Sequence, residues 1–144
     1  MRQTRLNEAY RGEIYGIAFF QHMLSQRPEQ ATLWQTLVSV EVRTAALLSV
    51  DQAVSVSAAA RAALWHKGVA QAGQWDALPW PELLTTLIDW VTPYEQRYRE
   101  WAEADPQLAL VARHETAIWQ ALKDLSQGGD GLTPLHQFLD DYSL

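Results

Sequence analysis

Four glutamates interrupt four otherwise apolar segments of this 144-residue chain. Within each segment, apolar residues recur at steps of three and four, which is the spacing that lines one face of an α-helix. The exceptions to that apolar pattern, one in each segment, are Glu13, Glu41, Glu95 and Glu115. Because burial of an uncompensated carboxylate is costly, the four side chains require protons, cationic partners or a metal ion. The third segment admits a second interpretation, in which Tyr94 takes the core position of Glu95.

Two turns relate the glutamates in pairs. Glu13 and Glu41 are equidistant from Arg27–Pro28, and Glu95 and Glu115 are equidistant from Asp105–Pro106. Residues equidistant from the turn of an antiparallel helical hairpin face each other, so each pair is predicted to be level.

The distances from the turns predict a topology. Glu13 lies about 21 Å along its helix from the first turn, and Glu95 lies about 15 Å from the second, at 1.5 Å per residue. Together they equal the length of a helix of about 24 residues. All four carboxylates therefore share one layer if the two turns lie at opposite ends of a bundle. That arrangement requires a long crossover between the second and third helices.

Prolines and glycines mark where these helices begin and end. Proline is favoured at the first helical position, and Gly128–Gly131 forms a stop. The predicted helices are A (Thr4–Gln26), B (Pro28–Val50), C (Pro81–Ala104) and D (Pro106–Gln127). The B–C connection spans Asp51–Pro79, with Ala58–Val69 helical, and a short helix Pro134–Asp141 closes the chain. The sequence thus predicts an all-α four-helix bundle forming a single domain over residues 1–144.

Composition excludes several classes of function. The chain has no cysteine, which rules out disulfides, thiolate metal sites and cysteine nucleophiles. Its net charge is −6, and Lys and Arg do not cluster, so we expect no nucleic-acid partner. No apolar run follows the arginines of residues 1–11, and none approaches the roughly 18 residues that span a membrane. We therefore expect a cytoplasmic protein without a membrane partner.

Carboxylate oxygens in a helical core suit iron or manganese, and bridging glutamates can hold two such ions. With this site the chain resembles the ferritin-like superfamily of rubrerythrins and related di-iron carboxylate proteins, over about residues 4–127. The resemblance depends on Glu13 in the segment Arg11–Phe20, on Glu41 and Glu95, on His114-Glu115, and on the long crossover. The family pattern is a Glu from two helices and Glu-x-x-His from the other two. Here Thr44 and Ile118 stand at the two histidine positions, so the motif is degenerate.

The resemblance implies a function and a ligand set. The metal ligands would be Glu13, Glu41, Glu95 and Glu115, flanked by His114 and holding two iron or manganese ions. The reaction would act on oxygen, peroxide or iron. Tyr10 and Tyr98 are the predicted catalytic neighbours, relaying electrons or hydrogen-bonding a carboxylate, although aromatic residues at helical spacing also suit a core.

The partners expected from this interpretation are a second copy of the chain in a homodimer and a small-molecule or metal substrate. The alternative is a metal-free helical bundle of the same fold that binds a protein partner or a small ligand. In that case the glutamates are protonated or paired with arginine.

Overall fold

The computed structural model describes residues 1–51 and 54–144, which contain α-helices and no strand. Its helices are α1 (Arg2–Gln26), α2 (Ala31–Asp51), α3 (Ala58–Trp75), α4 (Trp80–Ala104), α5 (Ala109–Ser126) and α6 (Leu132–Asp141). They form two compact units, Met1–Ala77 with Leu144 and Leu78–Ser143. The prediction of an all-α fold is confirmed. The ferritin-like bundle and the single domain over 1–144 stay predictions.

The α1–α2 and α4–α5 connections have the same local backbone arrangement. In each, one residue leaves the helix with an extended φ, −131° at Arg27 and −143° at Asp105, and a proline follows it. Proline disfavours the helical conformation in the residue before it, and the preceding helix ends there in both connections. The prolines open the short 3₁₀ turns Pro28–Gln30 and Pro106–Leu108, and α2 and α5 begin three residues later than predicted.

In the first unit, α1 packs against both α2 and α3. Its buried face is consequently wider than the single predicted seam, since Ile14, Phe19 and Met23 are buried together with Leu6 and Phe20. Helix α3 approaches α1 closely at Gly68, where an added Cβ would lie 2.5 Å from the Tyr15 carbonyl oxygen.

The segment between α2 and α4, which the sequence predicts as a crossover, is more helical than expected. The predicted helix Ala58–Val69 extends to Trp75. Ser57 caps its first turn, because the Ser57 hydroxyl accepts a 3.1 Å hydrogen bond from the Ala60 amide. After α3 ends, Asp76 Oδ2 lies 2.8 Å from His22 Nε2 on α1. The predicted crossover also includes Gln52 and Ala53, which lie outside the described residues.

In the second unit, α4 and α5 form a hairpin, and α6 packs on α5. The predicted stop at Gly128–Gly131 separates α5 from α6, with positive φ at Gly128 and Gly131. The Gly131 amide donates a 2.9 Å hydrogen bond to Asp124 Oδ2 on α5, which holds this turn against the preceding helix. Leu135 and Phe138 are the buried residues of α6.

Among the described residues, no helix combines the length and apolar character needed to cross a membrane.

Candidate metal centre

Glu13 and Glu41 bring two carboxylates together in the first unit. Glu13 on α1 is 1% exposed and Glu41 on α2 is 5% exposed. One carboxylate oxygen of each lies within 4.8 Å of the other. The arrangement has the level register that their equal distance from Arg27–Pro28 predicts.

This separation fits a shared metal ion. Carboxylate oxygens bind a first-row ion at about 2.0–2.2 Å, so two oxygens on opposite sides of one ion are about 4.4 Å apart. The two oxygens lie within 4.8 Å of each other, which is compatible with that span. Oxygen donors of this kind suit magnesium, manganese or iron.

Gly16 on α1 leaves the space that the Glu41 side chain from α2 occupies. Gly16 follows Glu13 by three residues and therefore lies on the same face of the helix. A Cβ at this position would lie 2.6 Å from Glu41 Cδ and 2.6 Å from Oε1. The carboxylate therefore lies directly against α1 where this helix has no side chain.

Thr44 stands where the ferritin-like pattern has its first histidine. It is fully buried, and its hydroxyl donates a 3.0 Å hydrogen bond to the Val40 carbonyl of its own helix. The Thr44 hydroxyl is thus hydrogen-bonded within its own helix, and it does not provide the nitrogen donor of an imidazole.

Glu95 in the second unit has a built-in countercharge. It is 6% exposed, and its Oε1 accepts hydrogen bonds from Arg99 Nε at 3.1 Å and from Thr116 Oγ1 at 3.2 Å. The hydrogen bond and charge of Glu95 raise the pKa of Arg99 above its usual value. Pairing with an arginine was one of the alternatives that the sequence allowed for balancing the charge of a buried glutamate.

On α5 the structure places His114 deeper than Glu115. The His114 side chain is 2% exposed and that of Glu115 is 13% exposed, with Nδ1 and Oε2 3.5 Å apart. The His114 ring lies edge-on to Phe138, their centroids 6.2 Å apart. Both residues are three or four positions from Val111 and Ile118, so helical spacing alone does not distinguish them.

Tyr10 is a buried phenol at a meeting point of α1, α2 and α3. It is 8% exposed, and its hydroxyl accepts a 3.1 Å hydrogen bond from Arg61 Nη2 on α3. Hydrogen bonding with Ser49 on α2, followed by that with Arg61, lowers the pKa of Tyr10 below its usual value near 10, and burial opposes this only in part. The surroundings of Tyr10 therefore favour its ionised form.

Tyr98, the other predicted catalytic tyrosine, belongs to an aromatic cluster on α4. It is 5% exposed and stacks on Trp101 with 4.8 Å between ring centroids. Its neighbour Tyr94 is 40% exposed, which places Glu95 rather than Tyr94 on the buried face. This resolves the two seams that the sequence allowed for this helix.

The residues of these arrangements that sequence reasoning missed include Gly16, Arg99 and Arg61. Two of them had a local signal, because Gly16 follows Glu13 by three residues and Arg99 follows Glu95 by four. Arg61 reaches Tyr10 from 51 positions away in sequence, and no local pattern indicates such a contact.

The chemistry of these residues differs between the two units. The first unit offers two oxygen donors close enough to bind one cation, and the second has already paired its buried Glu95 with Arg99.

In the comparisons with known proteins, the chain matches no protein-family model, no curated protein and no solved structure.

Proposed function

We propose that this protein binds a divalent metal ion through Glu13 and Glu41. The observation that carries the proposal is the pair of buried carboxylates, one from each of two packed helices, with oxygens within 4.8 Å. Like charges this close repel strongly in a poorly hydrated interior. A divalent ion offsets this repulsion and fits between the two oxygens.

Iron and manganese are the proposed metals, since both accept carboxylate oxygens. The resemblance to ferritin-like proteins supports the same choice and adds a reaction with oxygen, peroxide or iron. When bound, such an ion supplies Lewis-acid and one-electron chemistry at the carboxylates. The predicted two-ion centre, with Glu95, Glu115 and His114 as further ligands, stays a prediction.

In this proposal the protein supplies binding and a proton-transfer group. Glu13 and Glu41 hold the ion, and Tyr10 precedes Glu13 by three residues on the same side of α1. The hydrogen bonds that lower the pKa of Tyr10 suit its hydroxyl to release a proton.

The test is a titration of purified, chelator-treated protein with Mn²⁺ by calorimetry, with metal content checked by elemental analysis. Glu41→Gln keeps the shape of the side chain and removes its ionisable group, and Glu13→Gln does the same on α1. We expect either change to weaken Mn²⁺ binding at least about 100-fold, because a neutral amide replaces a charged ligand.

Glu8→Gln is the matched control. Glu8 is an exposed glutamate on the same helix as Glu13, so its replacement removes the same charge outside the centre. We expect Glu8→Gln to bind Mn²⁺ within about twofold of the unchanged protein, since exposed charges are screened. Equal binding by Glu8→Gln and Glu41→Gln would overturn the proposal.

A second candidate function is supported by a groove between α5 and α6. The groove has a volume of about 420 Å³, within the range of small-molecule sites. Its lining includes the polar residues Arg113, Thr116, Gln120, Thr133 and Gln137. Arg113 is the charged residue among the described residues that line it, and its Nη2 donates a 2.6 Å hydrogen bond to Asp141 Oδ2. The ligand favoured there is a small carboxylate that replaces Asp141 as the partner of Arg113. Stabilisation by such compounds, lost in Arg113→Gln, would support this metal-free alternative.

A further inference from the structure

We propose that Gly16 is a positioning residue of the metal centre: the absence of a side chain there determines where the Glu41 carboxylate lies. This inference depends on the proposed function, because it concerns how that centre acquires its geometry. Gly16 does not touch the ion in the proposal and acts through Glu41.

The close approach is specific to the Glu41 carboxylate. The three atoms nearest to a Cβ built at Gly16 are Glu41 Cδ, Oε1 and Oε2, at 2.6, 2.6 and 2.8 Å. All three belong to the end of one flexible side chain, whereas the nearest atom to a Cβ at Gly68 is a backbone oxygen. An alanine at residue 16 can therefore be accommodated by movement of the carboxylate, without separation of the helices.

The required movement is large for a metal ligand. Ordinary van der Waals contact with a Cβ begins near 3.4 Å, so the carboxylate must retreat by about 0.8 Å from its present 2.6 Å. Metal–ligand distances vary by only about 0.2 Å around their preferred values. A glutamate displaced by several times that tolerance no longer completes the geometry set by Glu13.

The same substitution favours the helix itself. Alanine has a higher helix propensity than glycine in a helix interior. Gly16→Ala is thus expected to leave the metal-free fold intact while weakening metal binding. If Gly16 had a purely structural role, its substitution would not weaken metal binding while leaving the metal-free fold intact.

The experiment compares Gly16→Ala with Gly73→Ala in the full chain. Gly73 is an exposed helical glycine on α3, and a Cβ there would meet no atom within 4 Å. Both variants gain helix propensity, and only Gly16→Ala displaces the carboxylate. We expect the Mn²⁺ dissociation constant to rise at least about tenfold in Gly16→Ala and to stay within about twofold in Gly73→Ala.

A thermal melt of the metal-free proteins provides the second measurement. We expect Gly16→Ala to raise the unfolding temperature more in a Glu41→Ala background than in the unchanged protein, since removal of the carboxylate removes the close contact. Equal effects in the two backgrounds would show that the residues do not interact, which overturns the inference.

Failure of this inference is distinguishable from failure of the proposed function. If the unchanged protein binds Mn²⁺ and Gly16→Ala binds it equally well, the inference alone is wrong. If the unchanged protein does not bind Mn²⁺, the proposed function is wrong, and the role of Gly16 at a metal centre is wrong with it.

Discussion

At the scale of single residues, each of the two hairpins buries glutamate side chains whose charge must be balanced. One carboxylate oxygen of Glu95 accepts hydrogen bonds from Arg99 and Thr116, so the arginine balances the charge of Glu95. Glu13 and Glu41 are instead placed with their own oxygens within 4.8 Å. Two carboxylates this close repel each other, which is the reason for proposing a cation between them.

Tyr10 leads to a prediction about pH. Its lowered pKa means that deprotonation occurs more readily in the folded protein than in the unfolded chain, whose tyrosines titrate near pH 10. The folded state therefore gains stability from this group as the pH rises through the lowered pKa, and the gain is complete above about pH 10. The contribution is lost as the pH falls through the lowered pKa of Tyr10.

We accordingly expect the difference in unfolding free energy between the unchanged protein and Tyr10→Phe to grow as the pH is raised towards 10. Denaturant titrations at a series of pH values measure this difference, and ultraviolet absorbance follows tyrosinate formation. Ser49→Ala should shift the early tyrosinate step towards higher pH, because it removes the largest cause of the lowered pKa. A pH-independent difference for Tyr10→Phe would contradict the prediction.

At the scale of elements, glycines control how closely other groups approach α1. Gly16 admits a side chain from α2, and Gly68 brings the backbone of α3 close to that of α1. The nearest neighbours of a Cβ at Gly68 are the Tyr15 carbonyl oxygen at 2.5 Å and Ala18 Cβ at 3.0 Å. Neither atom can turn aside as a carboxylate can, so a side chain at Gly68 forces the helices apart.

Gly68→Ala is therefore expected to destabilise the protein by about 1–3 kcal/mol, the usual cost of overpacking a well-fitted contact. The higher helix propensity of alanine, worth about 1 kcal/mol, offsets only part of the strain. Urea unfolding measures the net change. Gly73→Ala is again the matched control, with a stability equal to or above that of the unchanged protein. If Gly68→Ala behaves like Gly73→Ala, α1 and α3 do not pack through Gly68.

At the scale of the whole molecule, metal binding is linked to folding. An ion that binds the folded protein and not the unfolded chain stabilises it by about 2.7 kcal/mol at 100 times its dissociation constant. For a chain of this length, that corresponds to a rise of about 10 °C in the unfolding temperature. We expect Mn²⁺ to produce a rise of this order and a chelator to reverse it.

The same melts distinguish the two candidate functions. In Glu41→Gln the Mn²⁺-dependent rise should disappear, because a charged ligand is lost. The alternative predicts no effect of Mn²⁺ and a rise with small carboxylates that requires Arg113 in the α5–α6 groove. A rise with Mn²⁺ that persists in Glu41→Gln would place the metal elsewhere and contradict the assignment.

Local sequence signals were sufficient for the helices and for one carboxylate pair. The turns at Arg27–Pro28 and Asp105–Pro106 are visible because proline restricts the residue before it, and this effect needs no distant partner. Equal distance from the first turn then places Glu13 level with Glu41, since both helices rise by the same amount per residue.

Tertiary structure decided which groups those helices present to each other. Val111 and Ile118 are compatible with either His114 or Glu115 between them, and the folded chain buries His114 more deeply. Arg61 reaches Tyr10 across 51 positions, and Gly16 matters only because Glu41 lies against it. Helical periodicity is a property of one segment and is readable from sequence. The partner of a buried charge depends on which surfaces meet, and distant parts of the chain determine that only when they fold together.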